Sequence, residues 1–307
     1  MDFDASKSTD PDGDALTYAW DFDGDGTTDA TGATASHTFT SAGEFQPEVT
    51  VTDAHGTSTT AHTSVVAGNT RPKVTVESPD DGGFSEFGED IPFKVKVEDP
   101  EDGTIDCTKV KVTYQLGHNQ HAHPMAEATP NADCEGVISP GRDASHGPGA
   151  YVFHIVQADY TDQGGAGGAP PLTGESSVVL HPHQYNASTY RKGKGVGLYT
   201  GQLFVPDSGN WFMFPRINVK DVRQLSMEFA TRAAGVSFTV HADSPDGPVV
   251  ARFDNVPYTG STSLSDRVYK TFTASITDPG GVHDLYFVGD WPDQTQPELF
   301  VRNFTFE

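Results

Sequence analysis

The sequence predicts an all-β protein, and three observations predict it. Short runs rich in Val, Ile, Phe, Tyr and Thr recur between turn residues, with 32 glycines and 21 prolines in 307 residues. Two of the runs, FKVKVED from Phe93 and KVKVTYQ from Lys109, alternate strictly, so each should have one buried and one wet face. Long apolar runs at helical spacing are absent, and hydrophobic content is 35%. At domain sizes of roughly 100–150 residues, the length implies two or three units.

Charge narrows the partners. Nineteen Lys and Arg face 43 Asp and Glu, a formal net charge of −24. Such a field repels phosphate backbones and anionic lipid heads, which argues against nucleic acid and membrane surfaces as partners. It suits solubility and cation binding. No stretch reaches the roughly 18 apolar residues of a membrane-crossing helix, and no signal peptide is visible.

The first unit covers residues 1–68. Strands are expected at Leu16–Asp21, Ala35–Phe39, Gln46–Thr52 and Thr57–Val66. FDAS from Phe3, STDPDGD from Ser8, LTYAWDFDGDG from Leu16, HTFTSAGEF from His37 and VTVTDAHG from Val49 follow one another in order. Together they resemble the polycystic-kidney-disease-type (PKD) domain. The resemblance implies a small immunoglobulin-like β-sandwich, a non-catalytic spacer of secreted multidomain proteins that often stands beside carbohydrate-active partners. It also implies a strand ahead of FDAS, where this sequence starts. The expectation is therefore that this first strand is missing and that a catalytic domain stands upstream.

AGNTRPK, from Ala67, reads as a linker. The second unit covers residues 70–183, with strands expected at Lys73–Glu77, Ile91–Glu98, Lys109–Leu116, Tyr151–Ala158 and Ser177–Leu180. Five short strands between Pro/Gly turns predict a second, immunoglobulin-like sandwich. Between Gly117 and Gly149 strand character is weak, and loops of that length are usually functional or mobile. The only two cysteines, Cys107 and Cys134, belong to this unit. In an exported protein they read as one disulfide, whose closed loop would stabilise by roughly 3.5 kcal/mol. A pair of metal thiolates is the alternative.

The third unit covers residues 184–307. SGNWFMF from Ser208, FATRAAG from Phe229, ADSPDGPVVARFDNVPYTG from Ala242, YKTFTASITDPGGVHDLYFVG from Tyr269 and LFVRNFTF from Leu299 supply at least six strands. In this order they resemble a family-6 carbohydrate-binding module, a β-jelly-roll. The resemblance implies a sugar held between two aromatic rings on loops, and by motif position these are Tyr199 and Tyr269. Rings stack on the apolar faces of sugars while a few polar groups fix orientation. The family's Asn precedes the last strand in the pattern LFN; here that residue is Val301. Trp291, in the polar loop GDWPDQTQPE, would add a stacking surface, and Trp211 reads as core. The resemblance also implies a structural calcium, drawn from an acidic residue near the module's start and an Asp in its last strand. This sequence has HQYNAS and Asn303 there. The whole arrangement resembles the tail of secreted actinobacterial proteins whose heads are sugar-dehydrogenase-like or of trehalose-utilisation type.

Two constellations suit metals. LGHNQHAHP places His118, His121 and His123 within six residues, followed by His146 in SHGPG and His154 on the next strand. His121 and His123 are two apart and face one way in an extended chain. Neutral imidazoles are ligands for zinc or copper. Asp106, Glu127, Asp133 or Asp143 would add oxygens, and Glu127 is a candidate base for a metal-activated water. The alternative is histidines that cap turns and bond loop carbonyls. In DFDGDGTTD, Asp21, Asp23, Asp25 and Asp29 copy part of a calcium loop. Its twelfth position is Gly32, not Glu, which excludes an EF-hand and leaves either an open calcium site or a plain acidic hairpin. No GxSxG is present, which excludes an α/β-hydrolase. The run QGGAGGAPPLTG lacks the Lys of a phosphate loop.

Three functions follow. The first is a secreted accessory region that targets a partner enzyme to polysaccharide. The second is a metal-dependent hydrolase or oxidoreductase centred on His118, His121, His123 and His146. The third is a spacer without a ligand.

Overall fold

A computed structural model describes residues 1–118, 121–141, 151–291 and 298–307. Among them every long element is a strand, and helical structure is confined to three short 3-10 turns. The protein is all-β, as its alternation and turn residues predict. Among the described residues no helix is long and apolar enough to cross a membrane. The chain forms two compact units: residues 1–74, 97–106 and 160–175 make one, and residues 75–96, 107–159 and 176–307 make the other. The segment expected as a separate middle sandwich contributes to both.

In the first unit a four-stranded sheet runs in the order Ala30–Thr31, Thr17–Asp21, Glu48–Thr52, Ser58–His62. Two further pairs join Asp2–Asp4 to Thr34–Ser36 and Gly43–Phe45 to Val65–Ala67. The strand expected at Thr57–Val66 is therefore two strands. His62 still pairs with Glu48, whereas Val65 pairs with Phe45 in another sheet. The core is small: Phe3, Trp20, Phe22, Val49 and Val65. Phe3 packs on Phe22 at 5.0 Å between ring centroids, and Trp20 stacks on Phe22 at 6.0 Å.

The middle segment supplies two sheets. Glu135–Ile138, Ile91–Glu98 and Lys73–Ser78 form one; His121–Ala128, Lys111–His118, Val152–Thr161 and Thr173–Leu180 form the other. Cys107 and Cys134 are joined by a disulfide. The stretch after Gly117, expected to be poor in strands, contains two of them, His121–Ala128 and Glu135–Ile138. The first is a sheet edge with no buried residue, so it lacks the apolar alternation that marks a strand in sequence.

The C-terminal segment stacks two sheets. One runs Gly197–Tyr199, Gln202–Val205, Leu299–Phe306, Gln224–Ala230, Lys270–Ser275, with Gln184–Asn186 also pairing to Leu299–Phe306. The other runs Lys192–Lys194, Trp211–Ile217, His283–Asp290, Val236–Ala242, Val249–Val256. Between them lies an aromatic core. Phe212 stacks on Phe287 at 4.8 Å, and Phe304 packs edge-on to Phe214 at 5.0 Å. Burying a phenylalanine is worth about 1.5–3 kcal/mol, so this core is a large store of apolar stabilisation.

Candidate functional site

On the first of those C-terminal sheets a polar and aromatic patch faces outward. Its first part is a two-residue hairpin in which Tyr199 pairs with Gln202 across Thr200 and Gly201. Both turn residues have positive φ, 48° and 76°, the left-handed geometry that matches strand twist in a tight hairpin. Tyr199 is 41% exposed. The guanidinium of Arg267 sits over its ring at 5.6 Å and over Phe300 at 4.4 Å. Arg267 also donates to the Tyr199 carbonyl, to Thr200 Oγ1 and to the Leu264 carbonyl, so it locks the hairpin tip.

Tyr269 stands on the other side of Gln202, to whose Oε1 its hydroxyl donates at 3.3 Å. Arg302 covers its ring at 4.5 Å. Arg302 in turn makes a two-pronged pair with Glu228, and Asn303 donates to the same carboxylate at 2.8 Å. The hydrogen bond from Arg302 holds the Glu228 carboxyl below its ordinary pKa. Burial raises the Tyr269 phenol, against the opposing pull of Arg267 and Arg302. Guanidinium over an aromatic face is attractive by about 0.5–1 kcal/mol at exposed sites.

The structure thus brings Tyr199 and Tyr269 to one patch, bridged by Gln202. It does not bring Trp291 there. Trp291 is 6% exposed and belongs to the jelly-roll core. Its backbone N–H donates to Ser208 Oγ, and a Cβ on Gly289 would meet its ring at 2.5 Å. The expected stacking surface is a packing residue, because a large ring beside a glycine gap gains more from burial than from exposure in a polar loop. Residues 292–297 of that loop lie outside the described residues. Trp211, expected in the core, is only half-buried and packs edge-on to Tyr286 at 5.0 Å.

The histidines converge on one hairpin. His118 pairs with His121, and His123 pairs with Leu116. All three rings contact one another, with centroids 4.0, 4.9 and 5.3 Å apart. Glu127 is not with them. A bulge between Tyr114 and Gln115 shifts the register, so Glu127 pairs with Thr113 while His123 pairs with Leu116. Cross-strand partners share a face, and Thr113 and Leu116 point to opposite faces. Glu127 is instead bonded to Lys111 at 2.7 Å. It is an ion-pair partner on the far face, not a base beside the histidines. His146 lies outside the described residues, and His154 is buried on the histidine face, opposite Leu116.

In the acidic hairpin, Asp21, Asp23 and Asp29 offer oxygens within 4.8 Å of one another; Asp25 stands outside the group. Backbone N–H groups already use much of this capacity. Gly24 and Gly26 donate to Asp21, Phe22 to Asp29 and Thr27 to Asp25. The bond from Gly26 leads in holding the Asp21 carboxyl below its ordinary pKa.

Comparison with known families divides the chain. Residues 1–67 match the PKD domain. Residues 183–304 match the carbohydrate binding module (family 6). No curated protein matches the chain. Solved structures similar to it include a family-6 module of Clostridium stercorarium in complex with cellobiose, 22% identical over 40% of this chain and 92% of that one, with a TM-score of 0.33. A β-1,3-glucan-binding family-6 module of Bacillus halodurans is 20% identical over 40% of this chain and 94% of that one, at 0.35. A family-43 arabinoxylan arabinofuranohydrolase of Bacillus subtilis is 11% identical over 95% of this chain and 93% of that one, at 0.34.

Within the family-6 segment, Val301 is fully buried and pairs with Leu203 and Phe229. Polar groups on that strand follow directly after Val301, at Arg302 and Asn303. Sequence reasoning missed Gln202, Glu228, Arg267 and Arg302. Their signal was weak but present: Arg302 and Asn303 stand together inside the largely apolar strand LFVRNFTF. It also missed Tyr258, which is 46% exposed.

Proposed function

We propose that this chain is a carbohydrate-binding accessory region that works outside the cell and holds a partner catalytic domain close to polysaccharide. The observation that carries the reading is the family-6 match over residues 183–304. The tyrosine pair beside it supplies the chemistry. Each ring carries a guanidinium on one face, which fixes its orientation before any ligand arrives. Preorganised aromatic groups bind with less loss of conformational freedom. Gln202, Glu228 and Asn303 add polar groups for sugar hydroxyls. The disulfide fits an oxidising compartment, and the acidic surface fits a soluble partner of neutral glycan.

The test is native gel electrophoresis through embedded xylan, cellulose derivative and β-1,3-glucan. At least one glycan should retard the chain, and Tyr269→Ala and Tyr199→Ala should each remove the retardation while leaving the melting temperature nearly unchanged. Retardation that survives both substitutions would overturn the assignment of the site. Free migration through all three glycans would overturn the binding function for these substrates.

A further inference from the structure

We propose that His118, His121 and His123 form a binding site for a divalent transition metal, zinc or copper(II), at the tip of the Lys111–His118/His121–Ala128 hairpin. Each imidazole offers a ring nitrogen, and the three nitrogens lie within 4.8 Å of one another. In a tetrahedral site with metal–nitrogen bonds of about 2.0–2.1 Å, ligand nitrogens stand roughly 3.3 Å apart. A bound ion would draw the three rings together by that difference.

The strand pairing makes the arrangement specific. His118 and His121 are direct cross-strand partners, and His123 is two residues along from His121 on the same face. An H-x-H pair on one strand and a third histidine on its neighbour fix three ligands to hydrogen-bonded backbone, which holds geometry better than a loop would. The rings pack on each other instead of dispersing. His121 and His123 are exposed, so the remaining coordination positions open to solvent. Glu127, the one carboxylate expected to act on a bound water, faces away. The site is therefore a metal-binding one that needs no base.

Imidazole ligands place copper(II) above zinc in affinity. The experiment is calorimetric titration of the full chain, purified without a tag and stripped with chelator, against zinc chloride and separately against copper(II) with a weak competing amine. Near-ultraviolet circular dichroism checks that each variant is folded. One equivalent of metal should bind, and His121→Ala and His123→Ala should each weaken it at least about tenfold, since loss of even an outer-sphere partner of a metal ligand costs about 10–100-fold. His62→Ala, on another sheet, should change nothing. The copper form should show nitrogen hyperfine splitting that simplifies in either variant. Binding of neither metal, or one equivalent that persists unchanged in His121→Ala and His123→Ala, would overturn the proposal. Glycan retardation is measured without metal, so its outcome is independent of this one.

Discussion

Tyr114 Oη and His154 Nδ1 stand 2.6 Å apart inside the middle sheet and share a hydrogen bond, with both side chains 1% exposed. Burial pushes the phenol up to about 12 and the imidazole down to about 4. His181 is buried as deeply and is also pushed down to about 4 by burial, while its Nε2 pairs with the Arg216 carbonyl at 2.9 Å. The fold holds both histidines neutral.

Stability should therefore fall between about pH 6.5 and pH 4. Above 6.5 neither the folded nor the unfolded state protonates these rings, and their contribution is fully present. Between the two values only the unfolded state takes up the protons, so unfolding gains with each step down in pH. Each ring accounts for a loss of order 3 kcal/mol by pH 4. Urea midpoints at pH 7.5, 6 and 5 check this, because carboxylates have largely not begun to titrate there. A midpoint that stays constant over that range, or an equal slope in His154→Phe, contradicts the account.

Gly289→Ala should destabilise the jelly-roll. The new Cβ would meet the Trp291 ring at 2.5 Å, and the ring belongs to the buried core. Overpacking of this kind costs about 1–3 kcal/mol. Thermal melting should show a clear drop, and a melting temperature within error of the parent would mean that the Trp291 ring is not confined as described.

Cutting the disulfide should cost more. Cys107→Ser with Cys134→Ser releases a loop of separation 27, and the expected loss is about 2–5 kcal/mol. Reductant should lower the denaturant midpoint of the parent and leave that of the double variant unchanged. A parent that ignores reductant after unfolding and refolding would show that the bond contributes little.

Arg302→Ala should separate stability from binding. Its pair with Glu228 is partly exposed, so its removal costs only about 0.2–1 kcal/mol. The Tyr269 ring would lose its guanidinium, and glycan retardation should weaken several-fold. Unchanged retardation would place the sugar away from Tyr269.

Much of this was legible in sequence because it depends on local order. FKVKVED gave its buried face by alternation alone, and Val95 and Phe93 are buried as that alternation requires. The two cysteines, the acidic hairpin and the motif order of both outer segments were likewise readable one residue after another. So was the proximity of His121 to His123, which follows from the two-residue strand period.

What only the tertiary structure decided was set by contacts between distant residues. The bulge opposite Gln115 turned Glu127 away from the histidines; Pro124 in HAHPMAEA marks an edge strand or a bulge, but not which residue the register skips. Trp291 went into the core that the stacked strands of the C-terminal segment build, which the polar loop around it does not announce. Tyr199 and Gln202 share one hairpin, but Tyr269, just ahead of Lys270–Ser275, reaches Gln202 only through the fold, each ring then taking an arginine. Sequence determines which faces are apolar and which residue types are near at hand. Pairing register and packing space arise only when strands from separate parts of the chain compete for the same buried volume, and they decide which of those residues share a site.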